Sequence, residues 1–166
     1  GAGGVGIAAI HYARHRGARV MATAGSDTKR AFLRAMGVEH VFDSRSLAFA
    51  DAVKAATGGA GVDVVLNSLG GEAMERSLGL LKPFGRFLEL GKRDFYLDTP
   101  IGLRPMRRNI SYFAVDADQL AANRPALARD VLMEIMAQVD AGALLPPPRR
   151  VFGFGEAAAA FRLMQN

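Results

Sequence analysis

Glycines at the start of the chain restrict its fold more than any other feature. Gly1, Gly3 and Gly6 fit the pattern G-x-G-x-x-G, and a helical run and then an apolar, β-branched run follow them directly. Glycines at this spacing allow a tight turn, a close approach of the backbone to a pyrophosphate, and close packing of a helix on a strand. The helix N-terminus then offers N–H groups and a partial positive charge to phosphates. This context predicts a dinucleotide-binding turn made by Gly1, Gly3, Gly4, Val5 and Gly6.

The same turn normally follows a β-strand that is central in a doubly wound sheet. No residue precedes Gly1 in this sequence. We therefore expect a fragment of a larger module, and a sheet that lacks its central first strand.

Length and composition favour a single α/β domain over residues 1–166. No apolar run approaches the roughly 18 residues that span a bilayer, and no signal peptide is evident. The absence of cysteine excludes disulfides and thiolate metal sites within the chain and agrees with a reducing compartment. We predict a cytoplasmic protein that does not bind membranes.

The net charge of +5 is compatible with anionic partners. Its basic residues are scattered and are not interleaved with aromatic side chains that stack on bases, so nucleic acid is not expected. A phosphorylated cofactor, an acidic carrier protein and a solvated basic surface explain the excess charge equally well.

Helical and strand-like segments alternate, which predicts a doubly wound, mainly parallel, Rossmann-like sheet. The predicted strands are residues 18–24, 40–43, 62–67, 85–90 and 109–115, and the main predicted helices are residues 5–16, 27–36, 47–57, 71–81, 126–141 and 156–164. The apolar run 62–67 is typical of a strand that is buried on both faces. In the long helix 126–141, Leu127, Val131, Ile135 and Val139 form one apolar stripe.

The loop after the predicted strand 18–24 bears on the choice of cofactor. NAD sites usually place an acidic residue about 20 positions after the glycines. Here the chain has Ser26, Lys29 and Arg30, which suit a 2′-phosphate better than a ribose hydroxyl. Asp27 is the contrary signal, and helix capping is the structural alternative for Ser26. We predict NADPH rather than NAD.

Ligands in doubly wound sheets bind in a crevice beyond the carboxyl ends of the strands. The ends of two later strands are therefore expected to line the crevice that the glycine turn and the loop at Ser26 border. One end carries Asn67 and Ser68, and the other carries Leu90, Gly91 and Lys92. Small and polar residues at these places suit contact with ribose and nicotinamide. An ordinary turn is the alternative for residues 67–70.

Several segments together carry a family resemblance. They are GAGGVG, TAGSDTKR, DSRS, VDVVLNSLGGEA and GRFLELGKRD. The chain resembles, over nearly its whole length, the nucleotide-binding half of an enoyl reductase domain from a type I polyketide synthase or fatty acid synthase. The wider group is the medium-chain dehydrogenase/reductase superfamily.

The resemblance implies a reaction and roles for individual residues. Such domains reduce the α,β double bond of an enoyl thioester on an acyl carrier protein, with NADPH and without a metal. Lys92 is then the candidate proton donor or thioester-oxygen stabiliser, and Asp116 is its companion, with Asp118 one turn away. Ser44 and Arg45 would help to hold the adenosine phosphate end.

The family pattern also includes a substrate-binding domain that this sequence lacks. We expect the fragment by itself to bind NADPH weakly and to be inactive, with other synthase domains as its partners. A free-standing quinone or alkenal reductase of the same superfamily is one alternative. A non-catalytic nucleotide-binding or homodimerising module is the other, since the strand 109–115 is expected at the sheet edge.

Overall fold

The structure is a computed structural model that describes residues 1–164, so residues 165–166 of the predicted domain lie outside it. The strands are β1 (Met21–Ala24), β2 (His40–Asp43), β3 (Val62–Asn67), β4 (Leu81–Glu89) and β5 (Ser111–Ala114). The helices are α1 (Gly4–His15), α2 (Asp27–Ala35), α3 (Phe49–Ala56), α4 (Glu72–Leu78), α5 (Arg93–Tyr96), α6 (Ala117–Asn123), α7 (Pro125–Asp140) and α8 (Ala157–Met164), with 3-10 turns at Arg104–Arg108 and Phe154–Glu156.

The strands form two parallel sheets, with the orders β1-β2 and β3-β4-β5. The alternation of strand and helix therefore produces the predicted α/β architecture, because parallel strands need crossover connections. No strand among residues 1–164 joins β1 to β3. In the doubly wound order this is the place of the central first strand, so the break lies where the sequence predicts it.

Apolar residues pack in three buried clusters beside these sheets. Ile10, Ala24, Leu33, Val38 and Val41 form the first, Phe49, Ala50, Val53 and Leu80 the second, and Met74, Leu78, Leu81 and Phe87 the third. Each cluster joins at least one helix to a strand or to the residues beside it, so helix packing holds the strand ends in place.

The prediction that residues 62–67 are buried on both faces is wrong. Val64 and Leu66 are each 43% exposed, and Asp63 is exposed. β3 pairs with β4 along one edge only, and its other edge has no partner strand in the described part of the chain. The apolar run therefore predicted the strand correctly. Burial of both faces of that strand depends on other elements that pack against it, and the run does not report these.

The apolar stripe of α7 is also exposed at Leu127, Val131 and Ile135. Periodicity correctly predicted the helix, yet it reports only which face is apolar and not what covers that face. No helix among residues 1–164 is long and apolar enough to cross a membrane.

The strands predicted from residues 18 and 109 begin at Met21 and Ser111, and a larger difference lies between the fourth predicted helix and the strand after it. The sequence predicts a helix to residue 81 and a strand from residue 85, but α4 ends at Leu78 and β4 begins at Leu81. The register is irregular here, since Val62 pairs with Leu81 and Val64 pairs with Arg86. Pro83 lies in this irregular segment, where its missing N–H does not interrupt a regular ladder.

Phe87 provides a test of the β3-β4-β5 core. Its side chain is fully buried and stacks on Tyr112 with the ring centroids 5.3 Å apart. We expect Phe87→Ala to lower the free energy of unfolding by about 3–5 kcal/mol, because it leaves a cavity. The matched control is Phe84→Ala, since Phe84 is 75% exposed, and it should change that free energy by less than about 0.5 kcal/mol. Equal urea midpoints for the two variants would contradict this description of the core.

Candidate functional site

The glycine turn lies against the carboxyl end of β1. A Cβ at Gly1 would lie 3.1 Å from the Thr23 carbonyl oxygen. A Cβ at Gly6 would lie 2.2 Å from the Gly1 carbonyl oxygen, whereas a Cβ at Gly3 or Gly4 would meet nothing within 4 Å. Gly6 is therefore required by packing inside the turn, and Gly3 and Gly4 leave the crevice side of the turn open.

The first turn of α1 presents donors to that open space. The Gly3 carbonyl accepts from the Ile7 N–H at 2.9 Å, so the N–H groups of Gly4, Val5 and Gly6 precede the first intrahelical bond. The first turn has no acidic residue and no side-chain cap. This arrangement fits an anionic pyrophosphate.

Arg30 lies in the first turns of α2, and other groups already hold its side chain. The guanidinium is 14% exposed, lies 3.2 Å from Asp43 and also pairs closely with Asp27. It donates in addition to the Ala24 carbonyl at 3.0 Å. Any contact between Arg30 and a phosphate would have to be shared with these two carboxylates.

Ser44 and Arg45 come close to the loop that follows β1. The Nε atom of Arg45 lies 3.0 Å, and the Oγ atom of Ser44 3.5 Å, from the place of a Cβ on Gly25. Ser26, next in the chain, caps α2 by accepting from the Lys29 N–H at 3.3 Å. The structure therefore brings together Ser26, Lys29, Arg30, Ser44 and Arg45, the five residues that the sequence predicts for the phosphate end.

The β3 and β4 strand ends meet through a buried polar pair. Asn67 and Glu89 are 3% and 4% exposed, and the Asn67 amide donates to Glu89 Oε2 at 2.6 Å. The N–H of Gly91 donates to Glu89 Oε1 at 2.6 Å, and the Leu90 N–H donates to the Asn67 carbonyl at 2.8 Å. The ends of β3 and β4 are therefore adjacent, and they carry the four predicted residues Asn67, Ser68, Leu90 and Gly91.

Glu89 was missed by the sequence reasoning. Its signal is a single acidic residue inside the apolar run RFLEL. Burial raises the pKa of the Glu89 carboxyl, and the hydrogen bonds from Asn67 and Gly91 act in the opposite direction.

Lys92 lies between two carboxylates just beyond β4. Its Nζ atom is 2.8 Å from Asp116 Oδ1 and 2.6 Å from Asp118 Oδ2. Asp116 also accepts the Asp118 N–H as the cap of α6, which holds its side chain in place. Both candidates for the companion of Lys92 therefore contact it.

These contacts affect the charge states of the pair. Hydrogen bonds to Asp116 and Asp118 raise the pKa of the Lys92 ammonium, and the hydrogen bond from Lys92 lowers the pKa of the Asp116 carboxyl. A lowered carboxyl pKa means that the pairing is complete above the ordinary Asp value and is lost only as pH falls through the lowered value. Both groups are therefore charged at neutral pH.

No group of three or more histidine, aspartate or glutamate side chains within residues 1–164 is placed to hold a metal ion. The glycine turn and the strand ends present backbone donors, amide and hydroxyl groups, cations and carboxylates. This set can bind a phosphorylated ligand and can stabilise charge that develops next to an ammonium group.

Comparison with known proteins places this geometry in a family. A family model described as zinc-binding dehydrogenase matches residues 4–119. The chain belongs to the zinc-binding dehydrogenase family.

Two solved structures resemble this member of the family over most of its length. The nucleotide-binding subdomain of the enoylreductase domain of PpsC from Mycobacterium tuberculosis is 48% identical with a TM-score of 0.81, and covers 86% of this chain and 80% of that one. The CurK enoyl reductase is 40% identical with a TM-score of 0.83, and covers 99% of this chain and 48% of that one.

Curated relatives of this zinc-binding dehydrogenase domain are much longer proteins. The phthioceranic/hydroxyphthioceranic acid synthase of Mycobacterium tuberculosis is 50% identical over 166 residues, which are 100% of this chain and 8% of that protein. A mycocerosic acid synthase-like polyketide synthase of Mycolicibacterium smegmatis is 48% identical over 162 residues.

These comparisons confirm the predicted superfamily, the enoyl reductase resemblance and the Rossmann-like fold. A nucleotide-binding subdomain of this kind implies a nicotinamide cofactor.

The glycine turn allows packing and binding to be separated. Gly6→Ala should lower the free energy of unfolding by about 1–3 kcal/mol, because its Cβ would overlap the Gly1 carbonyl. Gly3→Ala should cost less than about 1 kcal/mol, but it should weaken nicotinamide cofactor binding by filling the open side of the turn. Urea unfolding and fluorescence titration with the cofactor measure the two effects. Equal stability losses in both variants would contradict the assignment.

Proposed function

We propose that this chain is the NADPH-binding part of an enoyl reductase that reduces the α,β double bond of a carrier-bound enoyl thioester in polyketide synthesis. The observation that carries the proposal is the position of Lys92 directly after β4, where Asp116 and Asp118 both contact its Nζ atom. The relatives support it, because the matched polyketide synthases and enoyl reductases share this region of sequence.

The crevice fits a dinucleotide in two ways. The turn is open at Gly3 and Gly4, and the α1 N-terminus supplies N–H groups to a pyrophosphate. We assign the 2′-phosphate of NADPH to Ser26, Lys29, Arg30, Ser44 and Arg45. Arg45 supports this assignment most directly, because its side chain lies beside Gly25 and no carboxylate pairs with its guanidinium within the described residues.

A bound NADPH would supply a hydride to the β-carbon of the double bond, and the α-carbon would then take up a proton from water. As negative charge develops on the thioester oxygen, the Lys92 ammonium can stabilise it. The raised pKa of Lys92 favours this electrostatic role over rapid donation of its own proton to the α-carbon. Asp116 and Asp118 keep the ammonium charged and oriented.

The whole protein has further properties that follow from the proposed role. Its substrate would arrive on an acyl carrier protein, other synthase domains would supply the substrate-binding half, and its location would be cytoplasmic.

A homodimer contact along β5 stays a second candidate, because β5 lies at the edge of its sheet and edge strands can pair with another chain. A strictly monomeric complete protein in light scattering would exclude that contact.

A free-standing reductase of the same superfamily stays an alternative. A 2-haloacrylate reductase structure is 28% identical and covers 99% of this chain, so the fold alone does not distinguish the two. The sequence on either side of the chain decides, because adjoining ketoreductase or carrier domains would exclude a free-standing enzyme.

The 2′-phosphate assignment has a direct test in the complete protein. We expect Lys29→Glu to weaken NADPH binding about tenfold or more and NADH binding much less, because charge-assisted hydrogen bonds to a phosphate are strong. Lys54→Glu, on the exposed side of α3, is the control and should affect neither. Equal losses for NADPH and NADH, measured by fluorescence titration, would overturn the assignment.

The role of Lys92 is tested by Lys92→Ala in the complete protein. Reduction of a crotonyl thioester should fall by about 10²-fold or more in kcat, as expected when a group that stabilises developing charge is removed. Lys82→Ala is the matched control, because Lys82 forms an ion pair with Asp63 at the far end of β3 and β4. Unchanged reduction by Lys92→Ala would remove Lys92 from the mechanism.

A further inference from the structure

Glu89 is a buried acid that the proposed mechanism does not use. It lies at the last position of β4, and its two carboxylate oxygens accept from different segments. Oε2 accepts from the Asn67 side chain at the end of β3, and Oε1 accepts from the Gly91 N–H just before Lys92. Because both partners are donors, the arrangement suits the ionised carboxylate.

The same carboxylate connects the two loops that follow β3 and β4. Asn67 also donates to the Leu69 carbonyl at 2.7 Å, so Glu89 is linked through Asn67 to the start of the first loop. A Cβ on Gly91 would lie 2.8 Å from Glu89 Oε1 and 3.4 Å from the Ser68 carbonyl carbon. The loops are therefore in close contact directly above Glu89.

A second acid joins the same loops farther out. Asp94 Oδ2 accepts from the Gly71 N–H at 2.9 Å. Glu89 and Asp94 both contribute to a raised pKa of the Tyr112 hydroxyl on β5, for which burial is the main cause. Glu89 and Asp94 thus both connect the segment that follows β4 to the segment that follows β3.

Charge differs between the two ends of the crevice. The adenosine end carries Lys29, Arg30 and Arg45 against Asp27 and Asp43. The opposite end, formed by the segments that follow β4 and β5, carries Glu89, Asp94, Asp116 and Asp118 against Lys92 and Arg93. In a doubly wound fold the two halves bind the two nucleotides of the cofactor, which places the nicotinamide at the acidic end.

We propose that Glu89 is a positioning residue that ties the β3 and β4 strand ends together beneath the nicotinamide, and that its carboxylate favours the oxidised nicotinamide over the reduced one. This inference rests on the proposed function, because it requires a nicotinamide cofactor in the crevice. The oxidised ring carries a positive charge that the reduced ring lacks. A buried carboxylate attracts that charge more strongly than an exposed one, since the surroundings screen it less.

The test compares dissociation constants of NADP⁺ and NADPH for the complete protein, measured by isothermal titration calorimetry. Glu89→Gln should raise the Kd for NADP⁺ about three- to tenfold more than the Kd for NADPH, because it removes the buried charge. Asp63→Asn is the matched control, since it removes an exposed carboxylate at the other end of β3. It should leave the ratio of the two constants unchanged.

A double variant separates charge from hydrogen bonding. In Asn67→Asp with Glu89→Gln, the carboxylate and the amide exchange places across the same contact. The ratio of the two dissociation constants should return toward the wild-type value, because the buried charge is restored nearby. Failure of the ratio to recover in this folded variant would overturn the charge role.

If circular dichroism shows that the Glu89→Gln variant does not fold, Glu89→Asp tests the proposal in its place. It keeps the charge but shortens the reach to Asn67 and Gly91, so both cofactor forms should bind more weakly at an unchanged ratio. Unchanged binding of both forms would overturn the positioning role, and a changed ratio would overturn the charge role.

The outcomes also separate this inference from the proposed function. Absence of binding of either cofactor form by the wild-type protein would overturn the proposed function. Normal wild-type binding with an unchanged ratio in folded Glu89→Gln would overturn the inference alone.

Discussion

The parallel register of β3, β4 and β5 is the constraint on which the rest of the site depends. It places Asn67, Glu89 and Ala114 side by side at the strand ends. Because parallel strands point the same way, the residues that follow each of them leave the sheet on one edge. Lys92 and Asp116 come from different strands and are 24 positions apart in sequence, yet this register brings their side chains to 2.8 Å.

The two-stranded sheet of β1 and β2 follows the same logic. β1 and β2 pair from Met21 with His40 to Ala24 with Asp43, so the loops with Ser26 and Arg45 leave from adjacent positions. The glycine turn lies against the end of β1, where Gly6 permits contact with the Gly1 backbone. The segments after β1 and β2 carry Lys29, Arg30 and Arg45 against Asp27 and Asp43, whereas carboxylates surround Lys92. A cofactor with phosphates at one end and a ring that becomes cationic at the other suits this distribution.

Local signals predicted much of the chain because they act over a few residues. The predicted ends of the first two helices, residues 16 and 36, lie directly before Gly17 and Gly37, whose φ angles of 73° and 82° favour glycine. Ser26 caps α2, the structural alternative that its residue type offers. Predictions that depend on distant parts of the chain were wrong. The predicted burial of β3 is an example, because an apolar pattern does not report whether another element covers the apolar face. The start of β4 was misplaced for a related reason, since Pro83 is accommodated by an irregular register with β3.

The sequence by itself determined the α/β class, the glycine turn, the residue types at each strand end and the resemblance to enoyl reductases. These depend on residue type and short spacing, which a single chain displays directly. Only the tertiary structure decided that Lys92 contacts Asp116 and Asp118 together, that Arg30 is already held by Asp27 and Asp43, and that Glu89 lies buried between Asn67 and Gly91. Most of these contacts join segments far apart in sequence, and their distances are set by strand register and helix packing rather than by local composition.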